Sequence, residues 1–215
     1  MKRIFISCAL FLCTISLSAQ TKMTAKEAAL KIADRILDST TYEFKNTKTG
    51  EVYKSVKKLP LSMDVKVACK YNNWHYTNGV TNIALMELAD KVGDKKYDKY
   101  VLKNMNFVFN EGNLDFFRRQ YDQAFKDGGW NAVRKLSWHM IFRGKRLDDN
   151  GPMGASLIEL QMRHPNEAFL SYVNETADHL NYAEPRLVDG TIARLWPHVN
   201  TIWADDAFMA ISLLW

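Results

Sequence analysis

Apolar residues recur at three- and four-residue spacing along most of this chain, and no stretch sustains the period-two alternation of a half-buried strand. That pattern predicts an all-α protein. Thr24-Ala25-Lys26-Glu27 reads as a capping box, and Leu30, Ile32, Ala33, Ile36 and Leu37 then form one stripe of a helix ending near Ser39. Residues 40–60 are polar and Lys-rich with Gly50 and Pro60, and read as a loop. A second helix spans Asn78 to Val92 with Val80, Ile83, Ala84, Leu88 and Val92 inward, and Gly93 supplies its stop. Asp94 caps a third, with Tyr97, Val101, Met105 and Val108 on one side.

Residues 114–140 read as helical, broken at Gly128-Gly129, and as an insertion between paired helices. The next helix follows Asp149-Asn150-Gly151-Pro152, with Pro152 in the first turn, where its missing N–H is tolerated. Another runs from Pro165 to Tyr182, and the last begins near Asp205. Helices alternating with short loops predict helical hairpins arranged as a solenoid or a toroid. The absence of an exact sequence repeat argues against the simple solenoid. The last helix is still apolar at Leu214 and Trp215, so its partners are expected to lie beyond the chain.

Met1-Lys2-Arg3, an apolar run from Ile4 to about Ser16 and the small residues Ser18-Ala19 describe a secretory signal over residues 1–20. The run is short of the roughly 20 residues a membrane span needs. The expected product is exported, periplasmic or secreted, without a membrane span, and residues 21–215 form one domain. Cys8 and Cys13 fall in the signal, so Cys69 has no partner for a disulfide and is read as a buried thiol. Losing Lys2 and Arg3 lowers the net charge from +5 to +3. The lysines are scattered, which excludes an electrostatic case for nucleic acid, while a weak positive field suits an anionic sugar.

Three clusters stand at predicted helix starts: Trp74-His75-Tyr76-Thr77-Asn78, Leu147-Asp148-Asp149-Asn150-Gly151-Pro152, and Trp203-Ala204-Asp205-Asp206. In a toroid of hairpins the inner helices run the same way, so all three clusters would open on one rim. Aromatic rings beside carboxylates and amides suit a carbohydrate. Trp74, Trp196 and Trp203 are candidates for stacking on a pyranose, and Tyr76 and Asn78 for hydroxyl contacts. An Asp at a helix start is ordinarily a cap, yet Asp149 and Asp205 each have an acidic neighbour, which capping does not require. No HxxxH spacing, calcium loop, P-loop or nucleophile elbow is present, so neither a metal nor another cofactor is expected.

Trp74-His-Tyr-Thr-Asn-Gly-Val80, Leu147-Asp-Asp-Asn-Gly-Pro-Met-Gly154, and Asp189-Gly-Thr191 with Arg194 and Trp203-Ala-Asp-Asp-Ala-Phe-Met209 together resemble glycoside hydrolase family 105, the unsaturated rhamnogalacturonyl hydrolases. The unsaturated glucuronyl hydrolases of family 88 are the related chemistry. The resemblance covers residues 70–215 and implies an (α/α)6 barrel, incomplete in this chain. It also implies an unsaturated uronic-acid oligosaccharide as substrate, protonated and hydrated at its C4=C5 double bond. By the same resemblance Asp205 is the general acid/base and Asp149 the second essential acid, with Asp148 in its place if the alignment shifts by one. Trp74, Tyr76, Asn78, Asp148, Arg194, Trp203 and Asp206 are the expected substrate contacts. The alternatives are a glucuronyl hydrolase acting on glycosaminoglycan-type fragments and a non-catalytic sugar binder.

Overall fold

The computed structural model describes residues 23–143 and 147–214, so the segment expected to be a signal, residues 1–20, lies outside the described part. Eight α-helices carry this part: α1 Ala25–Ser39, α2 Tyr76–Val92, α3 Lys96–Val108, α4 Glu111–Val133, α5 Met140–Arg143, α6 Leu147–Arg163, α7 Glu167–Asp178 and α8 Ala204–Leu214. The all-α expectation holds. The capping box at Thr24 and Glu27 forms as the sequence implies. Gly93 ends α2 in the left-handed region at φ 70°, where a Cβ would be strained.

The 40–60 segment differs from the loop expected. It contributes β1 Phe44–Asn46 and β2 Val52–Tyr53, joined by β3 Val65–Val67 in an antiparallel sheet of order β2-β1-β3. Strands of two or three residues are too short to reveal alternation. Tertiary packing holds them: Phe44 is buried against Phe107, Phe116 and Phe117, and the Gln120 amide donates to the carbonyls of Ser62 and Val65.

The helices α2, α6 and α8 lie side by side. Contacts at both ends show that α2 and α6 are parallel. At their starts the Trp74 indole donates to the Asp149 carbonyl at 2.6 Å; at their ends Arg163 binds Asp90 at 2.8 Å. The spacing is close because glycine permits it. A Cβ on Gly79 would overlap the Pro152 backbone, and one on Gly151 would overlap the Met209 backbone. α3 returns antiparallel behind α2 and α7 behind α6, while α1 is fastened to α3 through Tyr97 and Lys96 on Asp34. The result is an arc of a hairpin toroid with α2, α6 and α8 inside.

One further departure has a local cause. α6 starts at Leu147, so Pro152 lies inside the helix rather than in its first turn. α4 is interrupted where the sequence implies, at Gly129, which adopts φ 57° and ψ −149°. The core comprises one large cluster under α2, α3 and α6, a small one of Leu147, Leu180, Met209 and Ala210 under α8, and another of Ala124, Ala132, Val133 and Leu136 at the end of α4. Among the described residues no helix is long and apolar enough to cross a membrane.

Candidate active site

Between Glu184 and α8 the chain folds back on itself. Asp189 accepts from the Thr191 amide at 2.9 Å, and Gly190 takes φ 87°, so the Asp189-Gly190-Thr191 segment is a tight turn. The bridges Arg186–Ile192 and Arg194–Thr201 close two successive loops. This puts the Arg194 side chain at the start of α8.

Arg194 organises the site. Its Nε and Nη2 each donate to Asp206 at 2.6 Å, a bidentate pair in which Asp206 is nearly wholly buried. Its Nη2 also lies 3.5 Å from Asp148 at the start of α6 and 3.9 Å from Asp205 at the start of α8. The guanidinium sits over the Trp203 ring, 4.1 Å from its centroid. The bond to Asp206, reinforced by the charges of Asp148 and Asp205, raises the proton affinity of Arg194, so it remains a fixed cation. Its neighbours differ in access: the Asp205 carboxyl is 53% exposed and that of Asp148 33%.

Asp148, Arg194 and Asp206 line a pocket of about 140 Å³ with Leu147, Glu184, Pro185, Ala193, Leu195 and Trp196, and Asp205 and Trp203 adjoin it through Arg194. That volume holds a few waters at about 30 Å³ each, well below the 300 Å³ or so of a typical ligand cleft. It therefore suits one polar end of a sugar ring. Trp196 is 66% exposed beside it.

The starts of α2, α6 and α8 meet on one rim, as the helix pattern implied, yet the expected residues divide between two environments. Asp148, Arg194, Trp203, Asp205 and Asp206 gather as one group. Trp74 does not join them. It is fully buried, edge-on to Tyr172 at 4.9 Å, and bonded through Nε1 to α6; no ring face remains for a sugar. Asn78 is likewise buried, and its amide donates to the carbonyls of Lys70 and Asn73 at 2.9 Å, locking the turn into α2. Tyr76 is exposed on the rim, its ring tilted against His75 at 4.5 Å, outside the pocket wall.

Asp149 departs most from expectation. It is fully buried, and both carboxylate oxygens are bound by Arg143, whose guanidinium lies 5.1 Å from the Trp130 ring centroid. Successive residues of a helix point about 100° apart. Asp148 therefore faces Arg194 while Asp149 is turned inward to Arg143, away from any substrate in this pocket. His139 packs against the same Trp130, and burial, aided by the Arg143 charge, lowers its proton affinity.

Sequence reasoning missed Glu184 in the pocket wall and Arg143 as the partner of Asp149. Neither carries a local motif; the only hint was that a buried Asp needs a cation. No group of three metal-binding side chains occurs among the described residues. The model of Glycosyl Hydrolase Family 88 matches residues 51–215. No curated protein matches the chain.

Proposed function

The chain belongs to glycosyl hydrolase family 88, and from that premise we propose that it hydrolyses unsaturated uronyl glycosides, specifically the galacturonyl-rhamnose oligosaccharides left by pectin lyases. The supporting observation is the convergence of Asp148, Asp205 and Asp206 on the single Arg194 guanidinium at the rim where α6 and α8 begin. The finer resemblance to family 105 rests on the Leu147–Gly154 and Trp203–Met209 motifs.

In this reading Asp205 is the general acid/base, because its carboxyl is the most open of the three. It gives a proton to C4 of the vinyl ether and takes one from the water that adds at C5. The hemiketal formed at C5 opens the ring, and the hemiacetal left at C1 expels the aglycone. Arg194 remains protonated and attracts the uronate, with the exposed side chains of Trp196 and Trp203 beside it. Asp148 takes the second acidic role, and Asp149 with Arg143 positions the start of α6. Export to the periplasm or beyond would place the protein where lyase products arise.

Loss of enol-ether absorbance from lyase-generated rhamnogalacturonan disaccharide tests the reading. The chain is expected to bleach the band and Asp205→Asn to abolish bleaching while still binding. Binding without bleaching by either protein would favour a sugar-binding role. The family match itself favours a second reading, cleavage of glycosaminoglycan-type glucuronyl fragments. Faster turnover of a sulfated disaccharide than of the rhamnose-linked one would select it.

A further inference from the structure

The folded-back segment crowds apolar surface into one loop. Leu195, Trp196, Val199 and Ile202 are each more than half exposed, and Trp203 beyond them is 40% exposed. Single exposed apolar residues are common on any protein; a group of them in one loop marks a contact surface. The loop has a fixed shape. The Arg194 amide donates to the Thr201 carbonyl at 2.8 Å, and the Asn200 amide donates to the Arg194 carbonyl at 2.9 Å. The Thr201 hydroxyl donates to the His198 carbonyl at 2.8 Å, and Asn200 takes the left-handed region at φ 63°. A loop tied in this way presents its side chains at little ordering cost when a ligand arrives.

Both ends of the loop belong to the candidate site. Leu195 and Trp196 line the pocket, and the Trp203 ring lies against the Arg194 guanidinium. The pocket takes only part of one sugar ring, and Arg194 draws the uronate, so the aglycone is left to the wall that Leu195 and Trp196 share with the loop. The charges there decide what that aglycone can be. Asp148, Glu184 and Asp206 stand in the same wall, and the cation lining it, Arg194, is held by Asp206 through two nitrogens. From Leu195 to Trp203 the sequence has no Lys, Arg, Asp or Glu, and His198 is its one titratable side chain. A sulfate ester moved from water onto this surface would lose hydration with no fixed cation to replace it. An uncharged sugar loses less and gains apolar contact through a C–H face or a methyl group.

We infer that the Leu195–Trp203 loop is the specificity element of the site: it holds the aglycone, favours an uncharged one with an apolar face, such as a hexose carrying a methyl group at C6, and rejects a sulfated one. The inference rests on the proposed uronyl hydrolysis for the identity of the ligand. The loop's occupant is the aglycone rather than a second copy of this chain, because two of its apolar side chains are themselves pocket wall.

Equilibrium binding tests this without turnover. Isothermal titration in the Asp205→Asn background compares three ligands: the unsaturated galacturonyl-rhamnose disaccharide, the unsaturated uronate as its methyl glycoside, and an unsaturated disaccharide with a sulfated hexosamine aglycone. The rhamnose-linked ligand is expected to bind at least about fourfold tighter than the methyl glycoside, the value of one buried methylene-sized group, and the sulfated ligand more weakly than either. Leu195→Lys removes apolar contact and supplies a cation at an exposed position. It is expected to weaken the rhamnose-linked ligand about fourfold and to strengthen the sulfated one about fivefold, shifting the ratio of the two affinities about twentyfold. Both ligands carry the uronate, so its attraction to the new lysine cancels from the ratio. A parent that binds all three alike, or a ratio that Leu195→Lys leaves in place, overturns the inference. An equal loss for all three, the mark of a structural role, does so too. Val199→Lys, at another exposed position, repeats the test if Leu195→Lys does not fold. A changed sedimentation coefficient with the ratio unmoved would assign the loop to a second copy and overturn the inference. The reaction itself is tested separately, by enol-ether loss with the unsubstituted chain. Selective binding without that loss removes the hydrolysis and leaves the loop's role standing; loss without selective binding does the reverse; no binding of any of the three refutes the loop's role.

Discussion

Arg143 and Arg194 perform similar bonding with opposite consequences. Each clasps a buried Asp in both oxygens, but Arg143 closes an interior contact while Arg194 faces a cavity. Removing Arg143 would leave Asp149 buried without its bidentate cation, a loss of about 3–5 kcal/mol by analogy with broken buried pairs. Arg143→Met is therefore expected to lower the denaturant midpoint sharply, and Arg143→Met with Asp149→Leu to recover much of it; a single variant as stable as the parent would refute the pairing. His139 gives a pH-dependent counterpart. Its folded-state proton affinity lies below the ordinary 6.5, so the unfolded chain binds the proton first as pH falls. This contribution to stability is complete above about pH 6.5 and declines below it. Melting temperatures at pH 7.5 and 5.5 should differ more in the parent than in His139→Gln, and an equal difference would show that His139 does not titrate on unfolding.

At the level of elements, two glycines determine how closely the inner helices approach. Gly79 faces the Pro152 backbone and Gly151 the Met209 backbone, and a backbone obstacle has no rotamer by which to yield. Gly79→Ala and Gly151→Ala are each expected to cost about 1–3 kcal/mol through overpacking, despite the better helix propensity of Ala. Gly151→Ala should also weaken disaccharide binding, because moving α8 away from α6 separates Asp205 from Asp148. Chemical denaturation and isothermal titration would check the two effects separately; Ala variants at parental stability would mean that the helices have slack.

Across the molecule, cohesion is uneven. α2, α3 and α6 share the large aromatic and aliphatic core, whereas α8 and the folded-back segment rest on Leu147, Leu180, Met209 and Ala210. The segment also exposes Val188, Leu195, Trp196, Val199 and Ile202. Fewer buried contacts mean cheaper local opening. Native-state hydrogen exchange is expected to reach 186–210 well before α2 and α6, and saturating disaccharide to slow it there first. Uniform protection would contradict this division. The toroid of the family thus carries its acidic groups on a rigid inner wall of α6 and a softer one of α8.

The sequence by itself determined the helices, because their signals are local: spacing of apolar residues, the Thr24 and Glu27 box, and Gly93 at the end of α2. It also placed the three polar clusters at helix starts, from which a common rim follows by topology alone. The tertiary structure decided which neighbour in each acidic pair faces the pocket. Asp148 and Asp149 have nearly identical local surroundings, and only the distant Arg143 and Arg194 distinguish them. Burial made the same choice for Trp74, which the packing of Tyr172 and the Asp149 carbonyl converted from a candidate platform into a tie between α2 and α6. The short strands were illegible for a related reason: they are held by residues far along the chain, and pairing across such distances leaves no periodicity to read. Glu184 enters the pocket wall only because the starts of α6 and α8 pack beside it.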